Sequence, residues 1–270
     1  MPVVRFPPRS RRAPVPQDEL TTMHPPLEPD DRPSGARPDR TDQLELLRLG
    51  EITIEGRMPW SSNATFLVEV SHDDRTAQAI YKPLRGERPL WDFEPGLHRR
   101  ELAAYLLSDA MGLDIVPPTV IRDGPLGEGS VQWFVGADHQ QHYFTIHEAR
   151  PDLHDPLRAL AVFDVIANNT DRKSGHVLID TDDHIWGIDH GLCFAADFKL
   201  RTVIWEFGGE PIAAELLEAV ETIVETVPTG LAALLAEDEQ EALSERAVWL
   251  LEHPVMPVDS SGRRYPWPLV

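Results

Sequence analysis

Between residues 51 and 135 short apolar and polar runs read mostly as strands. Residues 51–55 alternate like a strand, 65–70 are β-rich, and 78–83 alternate again. In the last of these, Ile80 and Lys82 share a face. The polar stretch 71–75 reads as a turn, and 116–121 and 130–135 predict two further strands. Before the first strand, Leu44, Leu46 and Leu47 lead into Gly50. The period changes once, over 97–111, where Leu102, Tyr105, Leu106 and Met111 line up at helical spacing and Gly112 stands at the C-terminal stop.

The second half reads mainly as helix. Asp155 followed by Pro156 predicts an N-cap and first helical position, with Leu160, Ala161, Val165 and Ile166 turned inward over 157–167. A polar loop, 168–175, leads into two short strands, 176–180 and 184–188, joined as a hairpin by Thr181, Asp182 and Asp183. Residues 212–226 and 230–252 read as amphipathic helices separated by Pro228 and Gly230. A β-rich lobe before a helical lobe predicts an α+β fold with a cleft between them.

Composition sets the boundaries. Residues 1–40 hold ten prolines, seven arginines and six acids with no apolar periodicity, a composition that buries too little surface to order itself. The expected organisation is a disordered arm over 1–42, an N-lobe over 43–138 and a C-lobe over 139–270. No run of 18 apolar residues occurs, which predicts no membrane-spanning helix, and the Arg/Pro-rich start lacks the apolar core of a secretory signal. A lone cysteine, Cys193, fits packing and a reducing cytoplasm.

Charge narrows the partners. With 45 acidic and 25 basic side chains the formal charge is −20, which argues against a nucleic-acid binder and against stable association with anionic membranes. Residues 210–252 alone carry eleven acids and one arginine, a net of −10, so the excess belongs largely to the C-terminal helices. Only three cations are lysines: Lys82, Lys173 and Lys199. That skew suggests a GC-rich genome, and it draws attention to the positions where an ammonium is kept.

Two carboxylates carry the candidate chemistry. Asp171 lies in the polar loop and Asp189 follows the second strand of the hairpin. Delivered to one place, one carboxylate can orient a hydroxyl and accept its proton while the other holds a hard metal through oxygen. Gly191 lets the chain turn sharply beside the second. The histidines His139, His142, His147 and His154 lack cysteine support for a structural zinc site.

These motifs resemble the catalytic and metal loops of the phosphatidylinositol 3-/4-kinases, and the wider set of atypical kinases that includes bacterial persistence-toxin kinases. The resemblance rests on Ala79-Ile-Tyr-Lys-Pro83, His98-Arg-Arg-Glu-Leu-Ala-Ala104, Val116-Pro-Pro-Thr119, Asp171-Arg172 and Ile188-Asp-His-Gly-Leu-Cys-Phe194, in that order. It spans roughly 50 to 210 and is similar to a bacterial, actinobacterial branch. It implies a two-lobed, protein-kinase-like fold and an ATP-dependent phosphotransferase using Mg2+ or Mn2+. By the same resemblance Lys82 contacts ATP phosphates and pairs with Glu101, Asp171 with Arg172 forms the catalytic loop, and Asp189 binds metal. Gln132, Phe134 and Val135 belong to the strand leading to the adenine-contacting hinge.

The sequence departs from that pattern at three places. The metal slot five residues after Asp171 is His176, and imidazole suits magnesium poorly. Met58-Pro-Trp-Ser-Ser-Asn63 replaces a Gly-rich loop, offering the hydroxyls of Ser61 and Ser62. The segment after Asp189 offers only Lys199 and Arg201 as cations, fewer than a phosphoinositide head group calls for. The acceptor therefore stays open among protein, lipid and small molecule. A nucleotide-binding pseudokinase acting as a regulatory partner, and a non-nucleotide interaction module, stand as alternatives.

Overall fold

The structure is a computed structural model; it describes residues 39–58, 63–91, 93–138 and 140–269. Residues 1–38 of the arm expected over 1–42, Ser61, Ser62 and His139 lie outside the described residues, while residues 40–42 are helical.

Five strands form one antiparallel sheet: β1 (Glu51–Arg57), β2 (Phe66–His72), β3 (Arg75–Pro83), β4 (Thr119–Gly124) and β5 (Gly127–Trp133), in the spatial order β1-β2-β3-β5-β4. The turn predicted over 71–75 is tighter than expected, because Asp73 takes φ 52° and lets β2 and β3 pair as far as His72 and Arg75. β4 starts after Pro117 and Pro118, which have no N–H to give a ladder.

Alternation gives the sheet two different faces. Val68, Val70, Ala79, Tyr81, Val120 and Val131 form one buried cluster. It is covered by Leu46 and Leu47 of α1 (Arg40–Leu49), a helix the three-leucine pattern did not announce. Asp39 caps it by accepting the Thr41 N–H at 2.8 Å. On the other face Lys82 stands opposite Ser130 and Ile80 opposite Gln132.

The helix α2 (Leu97–Ala110) connects β3 to β4. Its Ala103, Ala104, Tyr105 and Leu107 are buried in the large cluster of the helical lobe, beside Leu157, Leu160 and Phe163 of α4 (His154–Ile166). The helix predicted within the N-lobe is thus part of the C-lobe core. Between them lies a short α3 (Tyr143–Ala149) that the sequence did not suggest. A 3-10 turn, Pro151–Leu153, starts α4 two residues early, so Asp155 lies inside the first turn and pairs with Arg158 at 2.9 Å instead of capping.

A two-stranded sheet follows, β6 (Val177–Ile179) against β7 (Ile185–Gly187). The acidic end of the chain folds as α5 (Ala214–Glu225), α6 (Thr229–Ala232) and α7 (Glu237–Glu252). The single helix expected over 230–252 breaks because the Gln240 side chain donates to the carbonyls of Ala232 and Leu235, both at 2.9 Å, while Glu239 takes the Ala236 N–H at 3.0 Å. Among the described residues no helix is long and apolar enough to cross a membrane. The architecture is α+β, an antiparallel sheet lobe followed by a helical lobe.

Candidate active site

Lys82 is placed by the strand period. It projects from β3 away from the sheet's apolar cluster, and its ammonium meets two carboxylates, Glu101 of α2 and Asp189 at 2.8 Å. Burial works against the cation, but Asp189 and Glu101 outweigh it and hold the Lys82 pKa above its ordinary value. The same ammonium keeps Asp189 well below the usual carboxylate range. Three residues from three separate segments therefore form one ion cluster.

Asp189 stands two residues beyond β7 with φ 60°, the left-handed region that a non-glycine residue rarely occupies. Its second oxygen lies 3.3 Å from His176 Nε2. Burial lowers the His176 pKa to about 4, so the imidazole is neutral. Its Nδ1 accepts the Lys173 N–H at 3.4 Å, which leaves the ring proton on Nε2, facing Asp189. As arranged, His176 presents a proton, not a lone pair, at the expected metal edge.

Gly191 takes no positive φ, so the sharp turn expected there does not call for glycine. A Cβ there would lie 3.4 Å from Leu97 Cβ and 3.5 Å from Glu101 Oε1. Those are ordinary van der Waals separations, so α2 would tolerate a small side chain there; Glu101 accepts the His190 N–H at 3.0 Å.

Asp171 is half-buried in the loop after α4. Its backbone N–H donates to Asn169 Oδ1 at 3.0 Å, and its carboxylate pairs with Lys173 at 2.7 Å. Burial raises the Asp171 pKa and Asp189 adds to the rise, with Lys173 and Arg201 opposing it. Arg201 reaches this position because its N–H bonds the Asn169 carbonyl at 2.9 Å and its carbonyl takes the Arg172 N–H at 3.1 Å.

Arg172 does not line the cleft. Its side chain is 0 % exposed, so it cannot touch a substrate. The guanidinium pairs with Asp164 of α4 at 2.8 Å, bonds the Ile188 carbonyl at 2.9 Å and the His176 carbonyl at 3.2 Å, and lies 2.8 Å from His190 Nε2. The catalytic assignment is corrected accordingly: Arg172 is a positioning residue that ties the Asp171 loop to the Asp189 loop. Gly187 makes room for it, since a Cβ there would come within 3.2 Å of the guanidinium.

The expected adenine side is mixed. Gln132 is buried and its amide donates to Thr119 Oγ1 at 2.9 Å, so that amide is engaged within the sheet. Phe134 extends the pairing, its N–H bonding the Gln78 carbonyl at 3.2 Å. Val135 packs with Leu178 of β6 and Trp186 of β7, giving an apolar seam where the strand crosses to the helical lobe. Among the described residues no group of three or more His, Cys, Asp or Glu side chains is arranged to hold a metal, and His142, His147 and His154 form no such cluster.

Sequence reasoning passed over Asp164, Lys173 and His190 as site members. Asp164 left a signal, an acid set in the apolar run 159–166 of α4. Lys173 left one as well, as one of the three lysines. The tail after α7 left none: the Leu269 carbonyl accepts the Ser174 N–H at 2.8 Å, and the Arg264 carbonyl accepts the Thr202 N–H at 3.1 Å.

Comparison with known proteins agrees with this architecture. A Fam20 protein of hydra, solved with sugar, superposes with a TM-score of 0.53 at 12% identity, over 78% of this chain and 87% of that one. The proinflammatory kinase CtkA of Helicobacter pylori gives 0.44 at 12% identity, over 77% and 94%. The fold is kinase-like. No protein-family model matches the chain. Protein Rv2133c of Mycobacterium tuberculosis is 40% identical, the match covering 85% of this chain and 96% of that protein. At that identity and coverage, the chain belongs to the family of protein Rv2133c.

Proposed function

We propose that this chain is an ATP-dependent phosphotransferase acting on a hydroxyl group, with the motif order of the phosphatidylinositol 3-/4-kinase-like enzymes. The observation that carries the reading is the ion cluster of Lys82, Glu101 and Asp189, gathered from a strand, a helix and a loop beside Asp171. A kinase-like fold supports it.

Phosphoryl transfer needs positioning and neutralisation of charge more than covalent help. Lys82 offers the nucleotide phosphates a compact point charge, and Glu101 holds that charge in place. Asp171 accepts a hydrogen bond from the acceptor hydroxyl. It takes the proton as the acceptor oxygen bonds to phosphorus and the bond to the leaving phosphate oxygen breaks. Lys173, at 2.7 Å from Asp171, brings a second cation to the transferring group.

Asp189 provides hard oxygen donors suited to Mg2+ or Mn2+, and its side chain is half-exposed, so the residues fit such an ion. A divalent ion bound there would neutralise phosphate charge. The buried single thiol, Cys193, agrees with the reducing cytoplasm as the compartment.

Calorimetry of ATP with Mg2+ tests the reading on the native protein and Asp189→Ala. Metal-dependent binding by the native protein and its loss in the variant are expected; equal, metal-independent results would sink the metal role. Labelled ATP incubated with a cell extract, then separated into lipid, protein and small-molecule fractions, assigns the acceptor. A second reading, nucleotide binding without turnover, is favoured by His176 at the metal slot. ATP binding with no label in any fraction would support it.

A further inference from the structure

Lys82 and Glu101 stand on two different elements, a strand and a helix. Lys82 belongs to the sheet, which has its own buried cluster under α1. Glu101 belongs to α2, whose apolar side chains are part of the helical lobe's core. Arg100 fastens α2 further, donating to the Cys193 carbonyl at 2.6 Å and to Glu239 of α7 at 2.5 Å. Whatever fixes the sheet against α2 therefore also fixes the ion pair between Lys82 and Glu101.

His98 sits at that joint, one helical turn before Glu101. It is 2% exposed, yet each ring nitrogen faces a carboxylate: Nδ1 lies 3.1 Å from Glu87 and Nε2 lies 3.1 Å from Glu128. Each ring nitrogen thus has a carboxylate oxygen within hydrogen-bonding distance, one on either side of the ring.

The two carboxylates come from segments next to Lys82: the 3-10 turn Leu84–Gly86 after β3, which Glu87 caps, and β5, which carries Glu128. Glu87 follows Lys82 by five residues, just past the end of β3. Glu128 lies on β5 next to Gly129 and Ser130, the partners of Pro83 and Lys82. Glu87 also caps α2, whose N-cap Gly96 has no side chain to do so. Its Oε2 accepts the Gly96 N–H at 2.8 Å and its Oε1 the His98 N–H at 2.9 Å. Burial favours the neutral acid, but these hydrogen bonds and the one from the His98 ring hold the Glu87 pKa below its ordinary value.

We infer that His98, clamped between Glu87 and Glu128, is a positioning residue that locks the sheet onto α2 and so sets Lys82 against Glu101. The inference rests on the phosphotransferase reading for its consequence, since Lys82 is the proposed phosphate contact. The lock itself is a property of the free protein.

The chain's three lysines make a direct test possible. Acylation of the native protein with an amine-reactive ester, read residue by residue by mass spectrometry without nucleotide, reports how firmly each ammonium is paired. His98→Leu is expected to raise the labelling rate of Lys82 about tenfold, because a looser pair leaves more free amine. Lys173 and Lys199 serve as internal controls and are expected to keep their rates. A rise in all three together, or none at Lys82, overturns the inference.

Glu128→Ala removes the half-exposed carboxylate, provides a milder variant should His98→Leu fail to fold, and is expected to move Lys82 in the same direction by a smaller factor. An unchanged Lys82 rate in folded Glu128→Ala also counts against the lock. In turnover, His98→Leu is expected to raise the KM for ATP about tenfold with little change in kcat. Selective labelling of Lys82 in a protein that binds no Mg-ATP would uphold the lock and refute the phosphotransferase reading.

Discussion

Glu101 accepts the main-chain N–H of His190 with one carboxylate oxygen and the ammonium of Lys82 with the other. The side chain is 3% exposed, so neither bond is shared with solvent. One carboxylate thus fixes both the proposed phosphate-contacting cation and the first residue after the proposed metal aspartate. Glu101→Gln breaks this double role, because an amide nitrogen must face one of two donors. Affinity for Mg-ATP is expected to fall about tenfold, the loss of one charge-assisted hydrogen bond. Calorimetry checks it, and native affinity in a folded variant would remove Glu101 from the site.

A second prediction concerns stability. Arg172 and Asp164 are both fully buried and pair at 2.8 Å. Removing one partner leaves the other as an uncompensated charge away from water, a loss of about 3–5 kcal/mol. Arg172→Met and Asp164→Leu are each expected to lower the urea midpoint strongly. The double variant should lose less than the sum of the two, since neither charge is stranded. Additive losses would show that the pair does not act as a unit.

Much of this site is legible in the chain because it depends on local pattern. The period of two puts Lys82 on the face away from the sheet's apolar cluster, and a loop and a strand end deliver Asp171 and Asp189. What was illegible depends on distant partners. Arg172 looks catalytic beside Asp171, but its burial is decided by Asp164, eight residues upstream, and by backbone carbonyls at 176 and 188. α2 reads as a one-sided helix, yet Ala103, Ala104 and Leu107 bury further faces because two lobes pack on it. α1 escapes notice because only Leu46 and Leu47 need to meet the sheet, too short a pattern to show a helical period.

Asp171 carries a pH prediction. Burial, and to a smaller degree Asp189, raise its folded pKa above the ordinary 3.8. The folded state therefore holds this proton more readily than the unfolded chain does. Its contribution to stability is greatest below the unfolded value and is lost as pH rises through the folded one. Catalysis runs the other way, since the base must be ionised. The acid limb of kcat/KM is expected above the pH of an ordinary aspartate. Lys173→Met removes a group that lowers this pKa, so the limb should move further up. A pH–rate profile of the two proteins decides it, and a downward shift would contradict the role of Lys173.

The last prediction turns on His176. In the arrangement here its Nε2 proton faces Asp189 Oδ2 at 3.3 Å, while Nδ1 is engaged by the Lys173 N–H. A magnesium ion beside Asp189 prefers oxygen and finds none at this position. Manganese tolerates an imidazole more readily. The native protein is therefore expected to bind ATP more tightly with Mn2+ than with Mg2+. His176→Asn puts an amide oxygen within the same loop and removes the competing proton from Asp189. It should tighten Mg-dependent ATP binding by about threefold to tenfold, the worth of roughly one added hydrogen-bond-sized contact. Mn-dependent binding should change less, which brings the two metals closer together. Titration of each metal at fixed ATP measures both quantities. Unchanged affinities for both metals would show that His176 does not stand at the metal edge, and Asp189 would then have to serve without a partner five residues after Asp171.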